Sequence, residues 1–438
     1  MLNFLKKRIS IAFVFSLTCA MANAQNKDTS SFNLNATGLQ INFAIENNKH
    51  LRLQNFLPAN YKPPQQSKVS YDANYEVFLH SSGEMRGTHN GQPGMRLVYV
   101  GRKENKTSKG RQVIITQKDP ISNLLVESYY EFNDAAPVVR RYTKVTNNGV
   151  EDAGIEFLSS AILNNFSEIT SGNLEDNIRI HYAYNSLFNE AQWQVLKPSQ
   201  IGRSESFSPS HTTFSLSGKG SMSTNKYLPM GMVENIKEGV MWFWQIEHNG
   251  SWNWSMGSTN GLNSYLYIGG PDDLNSQAWK SLKPGQSYQT VPVALGCVKG
   301  GLNEAVAALT RYRRTIIRPH PDNVNCPVIF NDFMNCLWAD PSTEKIMPLI
   351  KAAAEAKSDY YVMDAGWYAE VGEGWYDKVG KWVPTKSRFP RGLKEVMDDI
   401  KKRGLKPGIW LEIEVAGVNS PLKDKPDNWF MMRHGKRV

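Results

Sequence analysis

Two rhythms of apolar and polar residues divide this chain. From about Gln25 to Cys297, short runs alternate between apolar and polar positions or carry aromatics at every second residue. They include Gln40 to Ile45, Glu76 to Leu79, Met95 to Val100, Arg111 to Thr116, Leu124 to Phe132 and Val138 to Val145, separated by Asn, Gly, Asp and Ser. A period of two turns one face of a strand inward, and many short strands with this turn chemistry predict an all-β sandwich. Asn147-Asn148-Gly149 adds a hairpin signal after Tyr142–Val145, because Asn-Gly accepts the positive φ angles of a tight turn. The tract Gly239 to Ile268 sets Trp242 and Trp244, Trp252 and Trp254, and Tyr265 and Tyr267 two apart. Each pair therefore shares a strand face, either as sandwich core or as a surface on which a sugar ring stacks.

From Cys326 to Glu414 the rhythm changes. Short apolar runs (Val328 to Phe330, Tyr360 to Met363, Gly408 to Ile413) alternate with segments of helical period. That alternation predicts βα units feeding a parallel sheet. Ile346, Leu349, Ile350 and Ala353 form one helical stripe, and Leu393, Val396, Met397 and Ile400 another. Pro348 fits a first turn best, which predicts a helix starting near Lys345; Arg403-Gly404 predicts the end of the second helix. Asn331 and Asp332, Asp364 and Trp367, and Glu412 and Glu414 follow the three strands. In a parallel α/β barrel such strand ends form the floor of one pocket. Between the two regions, Glu304 to Ile317 carries Val306, Leu309 and Tyr312 at helical spacing, and Arg318-Pro319-His320-Pro321 forces an extended connector. The predicted organisation is a β-domain over 25–300, a linking helix and connector over 301–325, and βα units over 326–438.

Composition narrows the class. The chain has 438 residues, 41% hydrophobic and 21% charged, enough for two packed domains and unlike a disordered protein. Lys6, Lys7 and Arg8 precede an apolar run from Ile9 to Ala20 and the small residues Ala22-Asn23-Ala24, so residues 1–24 read as a secretory signal peptide. Lipoprotein processing at Cys19 is the competing reading, and Ser16-Leu17-Thr18 is a poor lipobox for it. Losing those three cations lowers the formal charge from +9 to +6. No later run reaches membrane-spanning length, so an exported, periplasmic or extracellular protein without a membrane span is expected. The cations are scattered, the longest block being Lys401-Lys402-Arg403, which gives nucleic-acid binding no support. Cys297, Cys326 and Cys336 are too few and wrongly spaced for a disulfide framework or a metal site, and neither metal nor cofactor is expected. Cys326 and Cys336 flank a predicted strand that holds them about 20 Å apart, beyond the roughly 7 Å limit for a bridge.

VMDAGWY, VGKW, SRFPRGLKEV and GIWLEIE, taken in order, resemble glycoside hydrolase family 36, the α-galactosidase family. Tyr130-Glu131-Phe132, PVVRRYTKVTNNG, and Asn189-Glu190 with Gln192-Trp193 are similar to that family's N-terminal β-supersandwich. The resemblance implies a multidomain enzyme, an N-terminal all-β supersandwich followed by a (β/α)8 TIM barrel, incomplete here because 326–438 holds only three strands. It implies a retaining glycosidase acting on terminal α-D-galactosides of oligosaccharides or polysaccharides through two carboxylates about 5 Å apart. Both are aspartates on later strands in the family, so no catalytic residue is expected before Val438.

What the resemblance implies within the chain is part of a sugar pocket. Asp364 matches the first aspartate of the family's Asp-Asp-Gly-Trp motif and would accept hydroxyl hydrogen bonds. Trp367 and Trp410 match pocket tryptophans, Trp382 could close over the sugar, and Glu412 and Glu414 match the strand-three glutamates, in contact or supporting roles. Ala365 stands where many members have the second aspartate, and Phe333 and Lys381 where relatives often carry Trp and Asp. The departure at Ala365 keeps open an α-N-acetylgalactosaminide, a β-L-arabinopyranoside or a transglycosidase of the raffinose-synthase kind. A non-catalytic carbohydrate-binding protein is the reading from another class. Relatives are commonly oligomers, so a homo-oligomer is expected.

Overall fold

A computed structural model describes residues 31–59, 61–63, 77–79, 94, 96–164, 173–203, 212–258 and 264–438. The expected signal peptide, Cys19, Glu76 and Met95 lie outside the described residues. The chain divides into two compact units, Met1–Ile317 and Arg318–Val438.

Antiparallel sheets build the first unit. The main path of its largest sheet runs Asn189–Leu196, Ile178–Ser186, Met230–Asn235, Val240–Ile246, Val293–Lys299, Val138–Asn147, Leu124–Asn133, Gly110–Lys118, Val98–Thr107. A four-stranded sheet (Ala161–Asn164, Ser264–Gly269, Trp252–Ser258, Phe214–Gly218) and a three-stranded one (Ser31–Ala36, Leu39–Ile45, Leu51–Pro58) join it. Alternate positions of all three meet in one core: Ile41 and Phe43, Val113 and Ile115, Trp242 and Trp244, Trp252 and Trp254. Trp244 meets Trp254 edge to face at 5.0 Å, and the Trp242 indole N–H donates to the Phe56 carbonyl at 2.6 Å. All four tryptophans are buried, as are Tyr265 and Tyr267. That settles the aromatic tract as core and rules out a sugar-stacking surface there, since no ring face reaches solvent.

Asn147-Asn148-Gly149 is not a hairpin turn. The strand Val138–Asn147 pairs with Leu124–Asn133 and Val293–Lys299, whereas the next strand, Ala153–Leu158, enters a separate sheet beside Lys280–Leu282. The buried Asn147 side chain explains the difference. Its amide donates to the carbonyls of Glu151 and Leu282, and its oxygen accepts the Gly149 N–H, so it clamps a crossing between sheets. The helix Leu302–Ile316 lays Ala305, Ala308, Leu309 and Tyr312 onto Met232, Met241 and Phe243 of the large sheet. Val306, expected on that stripe, is exposed instead, because the buried stripe is centred on the alanines that let helix and sheet approach closely.

The second unit holds a parallel sheet in the order Ile329–Asn331, Tyr360–Met363, Lys406–Ile409. Ile329 pairs with Tyr360, and Tyr360 with Lys406. The helices Thr343–Glu355 and Leu393–Lys402 cover one face through Ile346, Ile350, Ala353, Val396 and Ile400, packed on Tyr361 and Met363. Two boundaries differ from expectation. The first helix begins at Thr343, two residues early, because Ser342 caps it by accepting the Lys345 N–H, so the exposed Pro348 sits inside the helix. The third strand spans Lys406–Ile409, not Gly408–Ile413: after the Trp410 N–H donates to the Met363 carbonyl, the chain leaves the sheet. Arg403 and Gly404 (φ 84°) close the second helix.

Candidate functional site

The site is built where the central strand ends. Asp364 follows Met363, and the backbone then turns back through Gly366, whose φ of 93° favours glycine. A Cβ on Gly366 would run into the Ala339 carbonyl, so the turn of the DAGW motif admits no side chain there. The tight turn places Asp364 at the open end of the sheet while Ala365, Gly366 and Trp367 go inward.

A carboxylate from the neighbouring strand fixes the turn. Asp332, 1% exposed, accepts the Asp364 N–H at 2.9 Å and the Tyr361 hydroxyl at 3.1 Å. Burial pushes the Asp332 carboxyl up to about 6, and the nearby Asp364 charge adds to the rise. Burial beside Asp332 also raises the Tyr361 phenol, so it stays protonated and keeps donating. Asp364 itself is half-buried. One of its oxygens accepts the Asn331 amide at 2.7 Å and the other the Ala365 N–H at 2.7 Å. Both oxygens are oriented by protein donors, with lone pairs left for further donors.

Tryptophans surround this carboxylate sequence. Trp367, 3% exposed, supports the site by packing: its ring lies 6.0 Å from Trp382 in a stacked arrangement and 5.2 Å from Tyr368, and its N–H donates to the Trp410 carbonyl at 3.1 Å. Trp382 and Trp410 are half-buried, and Trp410 meets Trp375 edge to face at 5.7 Å. Trp382 has a φ of 41°, unusual for a bulky side chain, which turns the excursion after Tyr368 back toward Trp367. Arg388 anchors the excursion: its buried guanidinium donates to the carbonyls of Ala369 (2.6 Å), Pro341 (3.2 Å) and Glu370 (3.3 Å) and pairs with Asp340.

The glutamates divide. Glu412 is half-buried, and its charge, with that of Asp364, adds to the burial that raises the Tyr368 phenol. Glu414 is exposed on the segment beyond the strand. Asp364, Trp367, Trp382, Trp410 and Glu412 are thus gathered around Tyr368 and Trp375. Reading the sequence assigned no role to Tyr361, Tyr368, Trp375 or Arg388, and named Asn331 and Asp332 only as strand-end residues. The signal for those two was there in the polar pair after an apolar run. For the aromatics none was, because their contacts join positions far apart in the chain. The arrangement offers an oriented carboxylate acceptor beside aromatic rings, and Asp332 is too enclosed to serve as nucleophile or acid. Among the described residues no cluster of His, Cys, Asp and Glu could hold a metal ion, and no helix is long and apolar enough to cross a membrane.

The fold is shared with solved α-galactosidases, among them members of glycoside hydrolase family 36. The chain aligns with a variant of the α-galactosidase AgaA from Geobacillus stearothermophilus, solved with raffinose, at a TM-score of 0.74 and 17% identity, over 93% of this chain and 60% of that one. An α-galactosidase from Lactobacillus brevis aligns at a TM-score of 0.72 and 16% identity, over 93% and 58%. Residues 287–437 match the Melibiase family model. α-Galactosidase Mel36A of Lactobacillus acidophilus is 24% identical over 77% of this chain and 43% of its own length, and AgaA is 29% identical over 34% and 20%. Over residues 287–437 the chain is similar to the Melibiase family, and its fold is that of solved α-galactosidases of glycoside hydrolase family 36. It spans 43% or less of the length of these two curated relatives.

Proposed function

We propose that this chain is part of an exported retaining glycoside hydrolase of the α-galactosidase type, which removes terminal α-D-galactose from oligosaccharides or polysaccharides. The observation that carries the reading is Asp364, held at the end of the central parallel strand by Asn331 and the Ala365 N–H, with Trp382 and Trp410 both against Trp367 of the same motif. In this role Asp364 accepts hydrogen bonds from galactose hydroxyls, and Trp382 and Trp410 cover the apolar face of the ring. The unit Arg318–Val438 then supplies the first three βα units of a (β/α)8 barrel, and the β-unit is the family's supersandwich. The nucleophile and the acid/base are assigned to no residue of this chain. The relatives solved with raffinose and stachyose support an α-galactoside oligosaccharide as substrate.

The test is release of the aryl group from aryl α-galactosides by the complete gene product over pH 4–8, with export followed by N-terminal sequencing of the secreted protein. Turnover lowered by at least about a hundredfold in Asp364→Ala is expected. Cleavage of other aryl α-glycosides with the galactoside untouched overturns the assignment. A second reading, a relative that accepts an α-N-acetylgalactosaminide, is favoured by the small Ala365 beside Asp364; the same assay with the aryl N-acetylgalactosaminide separates the two.

A further inference from the structure

A cleft on the β-unit is lined by residues that the Asp364 site does not use. The strand Ala153–Leu158 is flanked on one edge by the short strand Lys280–Leu282, and where they meet Ile155, Glu156, Phe157, Leu158, Trp279 and Tyr288 line a shallow cleft of about 70 Å³. That is well below the roughly 300–1,000 Å³ of enclosed small-molecule sites, so a ligand would lie across this groove as on a surface. Trp279 is 62% exposed, whereas Trp242, Trp244, Trp252 and Trp254 of the same unit are buried. An indole at the rim of a cleft presents a flat apolar face to a ligand. Lys280 holds its ammonium 5.9 Å from the centre of the Tyr288 ring, so a donor is stationed beside the aromatic wall, and Glu156 places a carboxylate in the same lining.

We propose that this cleft is an accessory saccharide-binding site in which Trp279 packs on the apolar face of a pyranose while Glu156 and Lys280 exchange hydrogen bonds with its hydroxyls. The combination of a large exposed ring with one acceptor and one donor suits a neutral polyhydroxylated ring, which has apolar faces and a rim of hydroxyls. A docked peptide strand fits less well. The edge strand beside the cleft has only three residues, too few for a ladder of main-chain hydrogen bonds. The choice of galactoside as ligand rests on the proposed function; the site itself does not.

The experiment is affinity electrophoresis of the 438-residue chain in gels containing galactomannan, with fluorescence titration by stachyose, on the parent protein and on Trp279→Ala, Trp279→Phe and Asp364→Ala. Retardation is expected to weaken about tenfold in Trp279→Ala, to survive largely in Trp279→Phe, and to remain in Asp364→Ala. Since Trp279 is exposed, the alanine variant keeps its fold, which its thermal midpoint checks. Equal retardation of the parent and Trp279→Ala, or none by either, overturns the inference. Loss of aryl α-galactoside turnover in the complete gene product bears on the proposed function alone, and retention on galactomannan through Trp279 stands apart from it.

Discussion

Asp332 concentrates the electrostatics of the site at a single residue. Below about pH 4 the carboxyl holds its proton in both folded and unfolded chains. Between the ordinary aspartate range and about 6 the unfolded chain releases that proton while the folded unit keeps it. The unfolded state therefore binds fewer protons, and stability falls as pH rises through this window, with the loss complete above about 6. The loss is on the order of 3 kcal/mol. Asp332→Asn removes the titration but gives up one of the two accepted hydrogen bonds, so it is expected to lose the slope, whatever its absolute stability. Urea midpoints of the parallel unit at pH 4, 5, 6 and 7 read this, and parallel slopes for the two proteins would sink it. Gly366 gives a second residue-scale expectation. Gly366→Ala must place a methyl against the Ala339 carbonyl at a φ of 93°, so a loss of about 2–4 kcal/mol in thermal unfolding is expected. The sequence displayed Asp364, Gly366 and Trp367 openly, because a motif is local. It did not display Tyr361 donating to Asp332, because that bond joins neighbouring strands 29 positions apart.

Elements differed from their expected bounds where a side chain overrode local preference. Pro348 belongs in a first turn by backbone chemistry, yet the Ser342 cap starts the helix earlier and leaves the Glu344 carbonyl without its helical partner. The proline is exposed, so water can satisfy that carbonyl, and Pro348→Ala is expected to stabilise the unit by about 1–2 kcal/mol in urea unfolding. Asn147 likewise turned a hairpin signal into a crossing, since its buried amide finds two carbonyl acceptors. Helical stripes and strand alternation were legible because they need only one element. Where an element ends depends on partners supplied from outside it. The excursion from Tyr368 to Arg388 shows the same dependence, for it has little regular structure and is tied by the Arg388 guanidinium together with the Thr385 and Ser387 hydroxyls. Arg388→Ala orphans the Pro341 carbonyl and leaves the Ala369 carbonyl with the Thr385 hydroxyl and Asp340 with Lys345, so a loss of about 2–4 kcal/mol is expected. Arg388→Lys recovers less than half of it, because an ammonium cannot fork to several acceptors at once. A lysine variant matching the parent in thermal unfolding counts against this reading.

Over the whole molecule, stability is unevenly distributed between the units. In the β-unit, Val240–Ile246 lies between Met230–Asn235 and Val293–Lys299, with both rows of backbone groups paired and tryptophans from two sheets filling the core. The partners of this strand were not legible in the sequence, because Val138–Asn147 and Val293–Lys299 lie side by side from positions far apart. The parallel unit and its open edges were legible from three strands alternating with helices, but which side chains lie bare at those edges was not. Ile329–Asn331 and Lys406–Ile409 each have one strand neighbour, and Ile329, Ile409, Leu411 and Ile413 expose apolar surface there. A strand with one unpaired row and an exposed isoleucine opens at less cost than one locked on both sides. Amide hydrogen exchange of the 438-residue chain is therefore expected to show Val240–Ile246 protected about a hundredfold more than Lys406–Ile409, with Tyr360–Met363 between them. The order matters more than the size. If Lys406–Ile409 exchanges as slowly as Val240–Ile246, something outside the described sheet is covering its edge.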